Sequence, residues 1–380
     1  MPISTDDLEN IEKLRALVKD EITPYYDTDF NLLRWLKGHD YNFDLILPKL
    51  RNHLLFRKSH WDLDGMADRE RNHPIHQHWK GGLTGAAVIR PNAIVNIEQT
   101  GPNDYWGMLQ TYSINEVLKA RVHDLESMLR AVMDLEKQTG EQCSIMYFMD
   151  LNGLKFDRRT TTLITGALAS ISAFMAEHYV EMVHTFVLVN VPTFIHAIWT
   201  LARPLLPEKT KNKVHILGSN WREEVLKYAN ADVLPTFWNL DGETGPFGAA
   251  LQRAVPFSEN EYYKKEISEK AELFTISAGK ADYFDAIVEE GESLEWIIDA
   301  DGNFAFCIFK VDNDHLKASV DTLERIYPKF SKVPGPTIVP LIDSIKNPKP
   351  GRYRFWFSNE HAWFHTLKIR AEISPKRVQK

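Results

Sequence analysis

Three histidines in His73-Pro-Ile-His76-Gln-His78 give this chain its nearest approach to a metal site. Zinc takes imidazole, thiolate or carboxylate ligands, and a closed site needs four of them. No cysteine or carboxylate neighbours complete the set, so a polar loop or packed histidines is expected and no metal is assigned. Asp150 follows the apolar run Ser144-Ile-Met-Tyr-Phe-Met149, a place where a catalytic carboxylate could stand. No motif sets a base or nucleophile beside it, and a turn or cap role fits better. The chain has no Gly-x-Ser-x-Gly elbow, no His-Glu-x-x-His helix and no Gly-rich phosphate loop before a basic helix start. Catalytic residues and cofactors are therefore assigned to none. Glu181 and Lys213 each sit beside an expected strand. Taken alone, they read as a surface carboxylate and an ammonium in a solvated basic loop.

The elements that must position these groups fall into three stretches. Residues 6 to about 62 read as helical, with apolar stripes such as Ile11, Leu14 and Val18, then Leu33 and Leu36, then Ile46, Leu50 and Leu54. From about 79 to 240, short β-type runs (Ala86-Ala-Val-Ile89, Ile94 to Ile97, Ser144 to Met149, Phe186 to Val191) alternate with helical ones. That alternation argues an α/β sheet with helices on it. The longest helix runs from about Ile114 to Thr139 and stops at Gly140. After about Pro256 the pattern becomes β throughout, apart from a helical run over Leu316 to Ile326. Leu294, Trp296 and Ile298 alternate, Asp301-Gly302-Asn303 supplies a turn, and Phe304, Phe306 and Ile308 alternate again, which predicts a hairpin.

One helix breaks the usual rule. Residues 193 to 202 carry Phe194, Ile195, Ala197, Ile198, Trp199, Leu201 and Ala202, and after Thr193 only His196 and Thr200 are polar among them. A helix on a protein surface normally has one apolar stripe. One that is apolar all round is buried on every side or covers something apolar that comes and goes. It ends at Pro204 and Pro207 and leads into Lys209, Lys211 and Lys213.

Composition sets the outer bounds. A chain of 380 residues predicts two or three domains. A net charge of −7 gives no bulk attraction to nucleic acid or anionic membranes, so any membrane contact is local. The acidic start is not a signal peptide, and no apolar stretch approaches the roughly 20 residues that span a bilayer. Cys143 and Cys307 are expected as reduced thiols in separate cores. The reading is cytoplasmic, with peripheral and transient membrane contact.

The order Tyr179-x-Glu181, the Pro192 turn, the apolar helix, Arg203-Pro-Leu-Leu206, Lys213-Val-His-Ile-Leu-Gly218 and Leu234-Pro235 resembles the CRAL-TRIO lipid-binding family. Asp29-Phe-Asn-Leu-Leu-Arg-Trp-Leu-Lys37 looks like that family's helical N-terminal part. Pro350-Gly-Arg-Tyr-Arg-Phe-Trp-Phe-Ser-Asn359 is similar to the last strands of a GOLD β-sandwich. The combination looks like the animal proteins related to supernatant protein factor and tocopherol-associated protein. It implies an α/β CRAL-TRIO lipid-binding domain with an N-terminal helical subdomain, followed by an all-β GOLD sandwich, at 1–75, 76–245 and 260–376.

The resemblance also implies roles. Glu181 and Lys213 match residues that contact an inositol head group: an ammonium neutralises a phosphate, and a carboxylate accepts from ring hydroxyls. Phe174, Met175, Phe186, Leu188, Phe194, Ile195, Ile198, Trp199 and Ala202 match pocket or gate positions. Arg203, Lys209 and Lys211 would face anionic lipid. Val180, Met182, Lys155 and Asp157 depart from the head-group patterns of inositol- and choline-lipid carriers. Two acyl chains hold about 30 methylenes, worth roughly 24 kcal/mol out of water, so a carrier needs a closed apolar lining. The implied function is binding and transfer or presentation of a lipid, phosphatidylinositol-type or isoprenoid, with a protein partner at the GOLD domain. The competing reading is a trafficking or signalling adaptor whose pocket is regulatory.

Overall fold

The computed structural model describes residues 3–87, 92–203, 208–240, 244–264, 267–269, 271–312 and 319–377, apart from the side chains of Leu201, Ala202 and Thr210. Three helices lead: α1 (Thr5–Val18), α2 (Asp29–Gly38) and α3 (Phe43–Arg57). Each begins after a residue whose side chain accepts a first-turn N–H, namely Ser4, Thr28 and Asn42. Two short helices follow, α4 (Leu63–Met66) and α5 (Ile75–His78).

The α/β part comes next. Its elements are β1 (Gly81–Ala86), β2 (Ala93–Glu98), α6 (Tyr105–Thr111), α7 (Ile114–Thr139), β3 (Ser144–Asp150), α8 (Arg158–Thr165), α9 (Ala167–His178), β4 (Val183–Val189), α10 (Thr193–Ala202), α11 (Glu208–Lys213) and β5 (Val214–Ile216). A capping box of Ser113 and Glu116 starts α7, and Gly140, at φ 69°, ends it. The strands lie in the order β1-β2-β3-β4-β5, antiparallel at β1–β2 and parallel thereafter. Parallel strands in sequential order need crossovers, and right-handed crossovers place their helices on one face. The back face must then be covered by other chain. That cover is α12 (Trp221–Glu224), the 3-10 turns at Val225–Lys227, Ala231–Val233 and Thr236–Trp238, and Phe247. Its Trp221, Val225, Trp238 and Phe247 share a core with Val95, Ile97, Phe148, Val187 and Val189.

The strand expected at Ala86 to Ile89 lies earlier in the chain. β1 contains three glycines and little apolar surface, so backbone pairing rather than side-chain pattern holds it. A Cβ at Gly81 would stand 2.5 Å from the Ile97 carbonyl oxygen. Residues 88–91 lie outside the described residues.

The last stretch forms β6 (Glu272–Ile276), β7 (Ala281–Val288), β8 (Glu292–Ala300), β9 (Phe304–Val311), β10 (Glu324–Arg325), β11 (Phe330–Val333), β12 (Leu341–Ile345), β13 (Gly351–Ser358) and β14 (Leu367–Arg377). One sheet runs β10-β9-β13-β7 with β11 also on β9, and the other runs β12-β8-β14-β6. They pack face to face, with the Trp296 ring 5.6 Å from that of Phe355. The hairpin expected at Asp301-Gly302-Asn303 does not form. β8 and β9 belong to different sheets, so this turn crosses between layers. Alternating side chains look the same whether the next strand pairs or crosses. Contacts outside the turn hold the crossing: Gly335 N donates to Asn303 Oδ1 at 2.9 Å, and Asp301 N to the Lys368 carbonyl at 3.1 Å. The helical run expected over Leu316 to Ile326 is instead a 3-10 turn at Val320–Thr322 followed by β10. Residues 316–318 lie outside the described residues.

Sandwich and helices touch directly. His60 N donates to the Ile326 carbonyl at 2.7 Å, and Trp61 packs edge-on against Tyr327 at 5.9 Å.

Candidate functional site

Parallel pairing of β4 with β5 sets Phe186 opposite Val214, so the residues just before the two strands become neighbours. Those residues include Glu181 and Lys213. Lys213 Nζ donates to Glu181 Oε2 at 2.9 Å, with both side chains partly exposed. Glu181 stands at φ 52°, in the left-handed region that non-glycine residues seldom occupy. Gly38, the last residue of α2, makes room for this turn: a Cβ there would lie 2.2 Å from Val180 Cγ1. A carboxylate and an ammonium thus meet at the mouth of two strands, within reach of solvent.

α10 spans Thr193–Ala202, as its sequence predicts, with Pro192 at its N-cap. Among its described side chains none is buried: Phe194, Ile195 and Trp199 are half-covered, and Ala197 and Ile198 are exposed. Phe194 leans on Phe156, ring centroids 5.4 Å apart, and Phe156 is itself 63% exposed. On the helix-bearing face of the sheet, Phe186, Leu188, Val214 and Ile216 are only half-buried. Ala202's side chain, and Pro204 and Pro207, lie outside the described residues.

Other expected positions go elsewhere. Phe174 does not join the α10 group; it is buried against Phe56 (5.2 Å) and Phe330 (5.8 Å), where α9 meets α3 and the sandwich. Met175 is half-buried, its Sδ 3.4 Å from Arg121 Nε. Lys209 pairs with Asp40 after α2, and Lys211 with Glu208 at 2.8 Å, while Arg203 is exposed. Asp150 is a buried clamp, accepting from Asn152 N (3.0 Å), Asn190 Nδ2 (2.8 Å) and Trp238 Nε1 (2.8 Å). Of the three histidines, His73 and His76 stay in edge-on ring contact at 6.3 Å and His78 turns away. His73 faces Glu116 at 3.8 Å, His76 the Ala120 carbonyl at 3.4 Å, and His78 stacks on Phe257 at 3.8 Å.

Sequence reasoning missed a polar cluster on the same sheet face. Glu98 Oε1 accepts from Trp79 Nε1 (2.7 Å), Asn103 Nδ2 (2.9 Å) and Tyr105 OH (2.8 Å), and Oε2 accepts from Tyr147 OH (2.9 Å). Arg121 lies 3.5 Å from that carboxylate. Burial raises the Tyr105 and Tyr147 hydroxyls far above the ordinary phenol range, so both stay protonated donors. Beside the cluster a cavity of about 220 Å³ is lined by Asn96, whose side-chain N and O are buried without partners. The signal was present in Ile94-Val-Asn-Ile-Glu98, where two polar residues share one face of an otherwise apolar strand. Tyr147 packs on Phe186 at 5.6 Å, so polar and apolar ends meet on one floor.

Residues 90–239 match the family model of the CRAL/TRIO domain, 259–379 that of the F28H7_8_C:-like, C-terminal domain, and 3–66 that of a domain of unknown function (DUF8435). The Caenorhabditis elegans CRAL-TRIO domain-containing protein F28H7.8 is 29% identical over 275 residues, covering 69% of this chain and 65% of that protein. The Arabidopsis thaliana phosphatidylinositol/phosphatidylcholine transfer protein SFH7 is 24% identical over 307 residues, covering 78% of this chain and 54% of that one. The chain thus spans less than two thirds of the length of either relative. The crystal structure of Sfh5 aligns at TM-score 0.48 and 15% identity, over 69% of this chain and 96% of that one. The family match, falling on the sheet that places Glu181 beside Lys213, means that this chain contains a CRAL/TRIO domain, with helices ahead of it and a β-rich domain behind.

Proposed function

We propose that this chain is a non-catalytic lipid-binding protein that transfers or presents a hydrophobic lipid, a phosphatidylinositol-type phospholipid or an isoprenoid. The lipid's apolar body lies between α10 and the half-covered floor at Phe186 and Leu188. Met175, Phe194, Ile195, Ile198 and Trp199 line or gate that space, and Glu181 with Lys213 receives a polar head group. Arg203, Lys209 and Lys211 approach anionic lipid when α10 swings, which requires Lys209 to leave Asp40.

One observation carries the reading. α10 is apolar on nearly every side, yet none of its described side chains is buried. Apolar surface gains about 25 cal/mol per Å² on leaving water, so a helix of this composition is stable in place when something apolar sits under it. The name of the plant relative, a phosphatidylinositol/phosphatidylcholine transfer protein, points to the same class of cargo. In this reading the protein works in the cytoplasm, transiently on membranes, and its GOLD-like sandwich directs it there. The adaptor reading instead predicts that a bulky substitution at Ile198 leaves function intact while changes on the sandwich surface abolish it.

Lipid extraction and mass spectrometry of the purified chain, with transfer assays between labelled vesicles, test the proposal. A stoichiometric co-purifying lipid and accelerated transfer are expected. A lipid-free protein that moves nothing between vesicles would end it.

A further inference from the structure

The loop between β13 and β14 carries Trp363 and Phe364, which are 85% and 94% exposed, more than any other large apolar side chain among the described residues. Rings of this size normally bury 150–250 Å² each, so leaving two adjacent ones in water runs against the main driving force of folding.

The loop is anchored at its base. Asn359 is buried, and its Nδ2 donates to the Ile276 carbonyl (2.9 Å) and the His365 carbonyl (2.8 Å). Asn359 N donates to the Lys280 carbonyl at 2.8 Å, and Gly279 N to the Asn359 carbonyl at 3.0 Å. His365 Nε2 lies 3.1 Å from Asp301 Oδ1. The two rings therefore extend from a fixed platform.

The surroundings select the partner. Lys280, Lys332 and Lys368 are exposed around the loop base. Lys332 shares a recess of about 680 Å³ with His361, Ala362 and His365. The nearby carboxylates are Glu360, Asp301 and the exposed Asp282, which pairs across from Phe357, and His365 engages Asp301. An aromatic tip ringed by ammonium groups fits a bilayer surface, where Trp sits at the head-group boundary and lysines meet anionic lipid. A protein partner would call for aromatic anchors set within a wider packed patch, whereas this tip has polar neighbours.

Position agrees. Asn303, Ser331 and Lys332 border both this recess and a groove against Gly166, Ala169 and Ser170 at the α8–α9 junction. The loop thus stands on the flank that carries α8, where Ile164 is 51% exposed. We infer that the Trp363–Phe364 loop inserts into the interfacial layer of an anionic bilayer and seats the sandwich there.

The test is co-sedimentation of the full chain with phosphatidylcholine vesicles containing phosphatidylserine. The unmodified chain binds. W363S/F364S binds about tenfold or more weakly, because the apolar area inserted at the interface sets the strength, and its melting temperature does not change. W363L/F364L, which keeps the tip apolar, stays within about threefold of the unmodified chain. Equal binding by W363S/F364S, or no vesicle binding by the unmodified chain, overturns the inference. Unchanged vesicle binding with loss of a co-purifying protein also overturns it and assigns the loop to a protein partner. Lipid content measured by mass spectrometry does not involve this loop, so failure here is distinct from failure of the carrier reading.

Discussion

The five-stranded sheet has two faces made from the same strands and finished in opposite ways. On the back face Val95, Ile97, Phe148, Val187 and Val189 are all fully buried under Trp221, Trp238 and Phe247. On the front face Asn96 and Glu98 alternate into β2, Phe186 and Leu188 are half-covered, and α10, the helix that follows β4, buries none of its described side chains. Sequential strand order explains the asymmetry of means: crossovers cover one face, and a later segment must close the other. The back face is a packed solid, where stability is the only thing gained. The front face is buried under α7 at Ile94 and Ile145, but over β4 and β5 it keeps apolar surface available beside polar groups, which is what a site requires.

The widest separation between the faces is expected in stability. Phe148→Ala should cost about 3–5 kcal/mol in urea unfolding, because a fully buried ring leaves a cavity. Leu188→Ala, from the front face of neighbouring β4, should cost less than half of that. Equal losses would erase the distinction between the faces.

Acid should act next, through the helices that close the front. His53 of α3 and His178 of α9 face each other, Nδ1 to Nδ1, at 3.3 Å. Burial, reinforced by Arg325, holds His178 at about 3 against an ordinary 6.5; burial, Arg57 and His178 hold His53 well below its ordinary value too. The unfolded chain therefore binds more protons than the folded one between about 6.5 and 3. Stability is complete above 6.5 and falls as pH drops through that window. Urea midpoints from pH 7 to pH 5 check this, and His178→Gln should flatten the slope. A midpoint independent of pH would show that the pair is not held neutral by folding.

Smaller still is the expected effect of Lys213→Glu. The pair is partly exposed, so folding stability should change by less than about 1 kcal/mol. Binding of phosphatidylinositol-containing vesicles or soluble inositol phosphates should fall about tenfold, the size of a lost charge-assisted contact. A large stability loss with unchanged binding would make the pair a structural tie. Ile198→Ser should be nearly silent in melting, within about 0.5 kcal/mol, because the side chain is already 45% exposed. Its vesicle-to-vesicle lipid transfer should nonetheless drop several-fold. A proportional loss of both would place Ile198 in ordinary core.

Much of this was legible in the residues, and the limits have physical reasons. α7 and α10 were readable to their ends because Gly140 and Pro192 mark boundaries in the backbone itself. The sheet's position was readable, but β1 was not, since a strand held by glycine backbones has no side-chain pattern. Glu181 and Lys213 could be singled out; that they touch depends on parallel register between β4 and β5, which spacing in sequence does not contain. Phe174 shows the complementary limit. An apolar stripe says that a helix packs, but not whether sheet, helix or sandwich receives it. The Glu98 cluster was visible as alternation in β2 and was overlooked because the strand is otherwise apolar.

The contact between Trp61 and the sandwich has a practical consequence. Trp61 meets both Tyr327 (5.9 Å) and Phe330 (5.9 Å), and Phe330 continues to Phe174 (5.8 Å), so aromatic rings run without a break from the leading helices into the last domain. Cutting the chain at the family boundary near residue 240 would strip that seam and leave Trp61 and Phe174 facing solvent. A truncated CRAL/TRIO fragment is then expected to aggregate during expression, and the intact chain to melt in one cooperative transition rather than two.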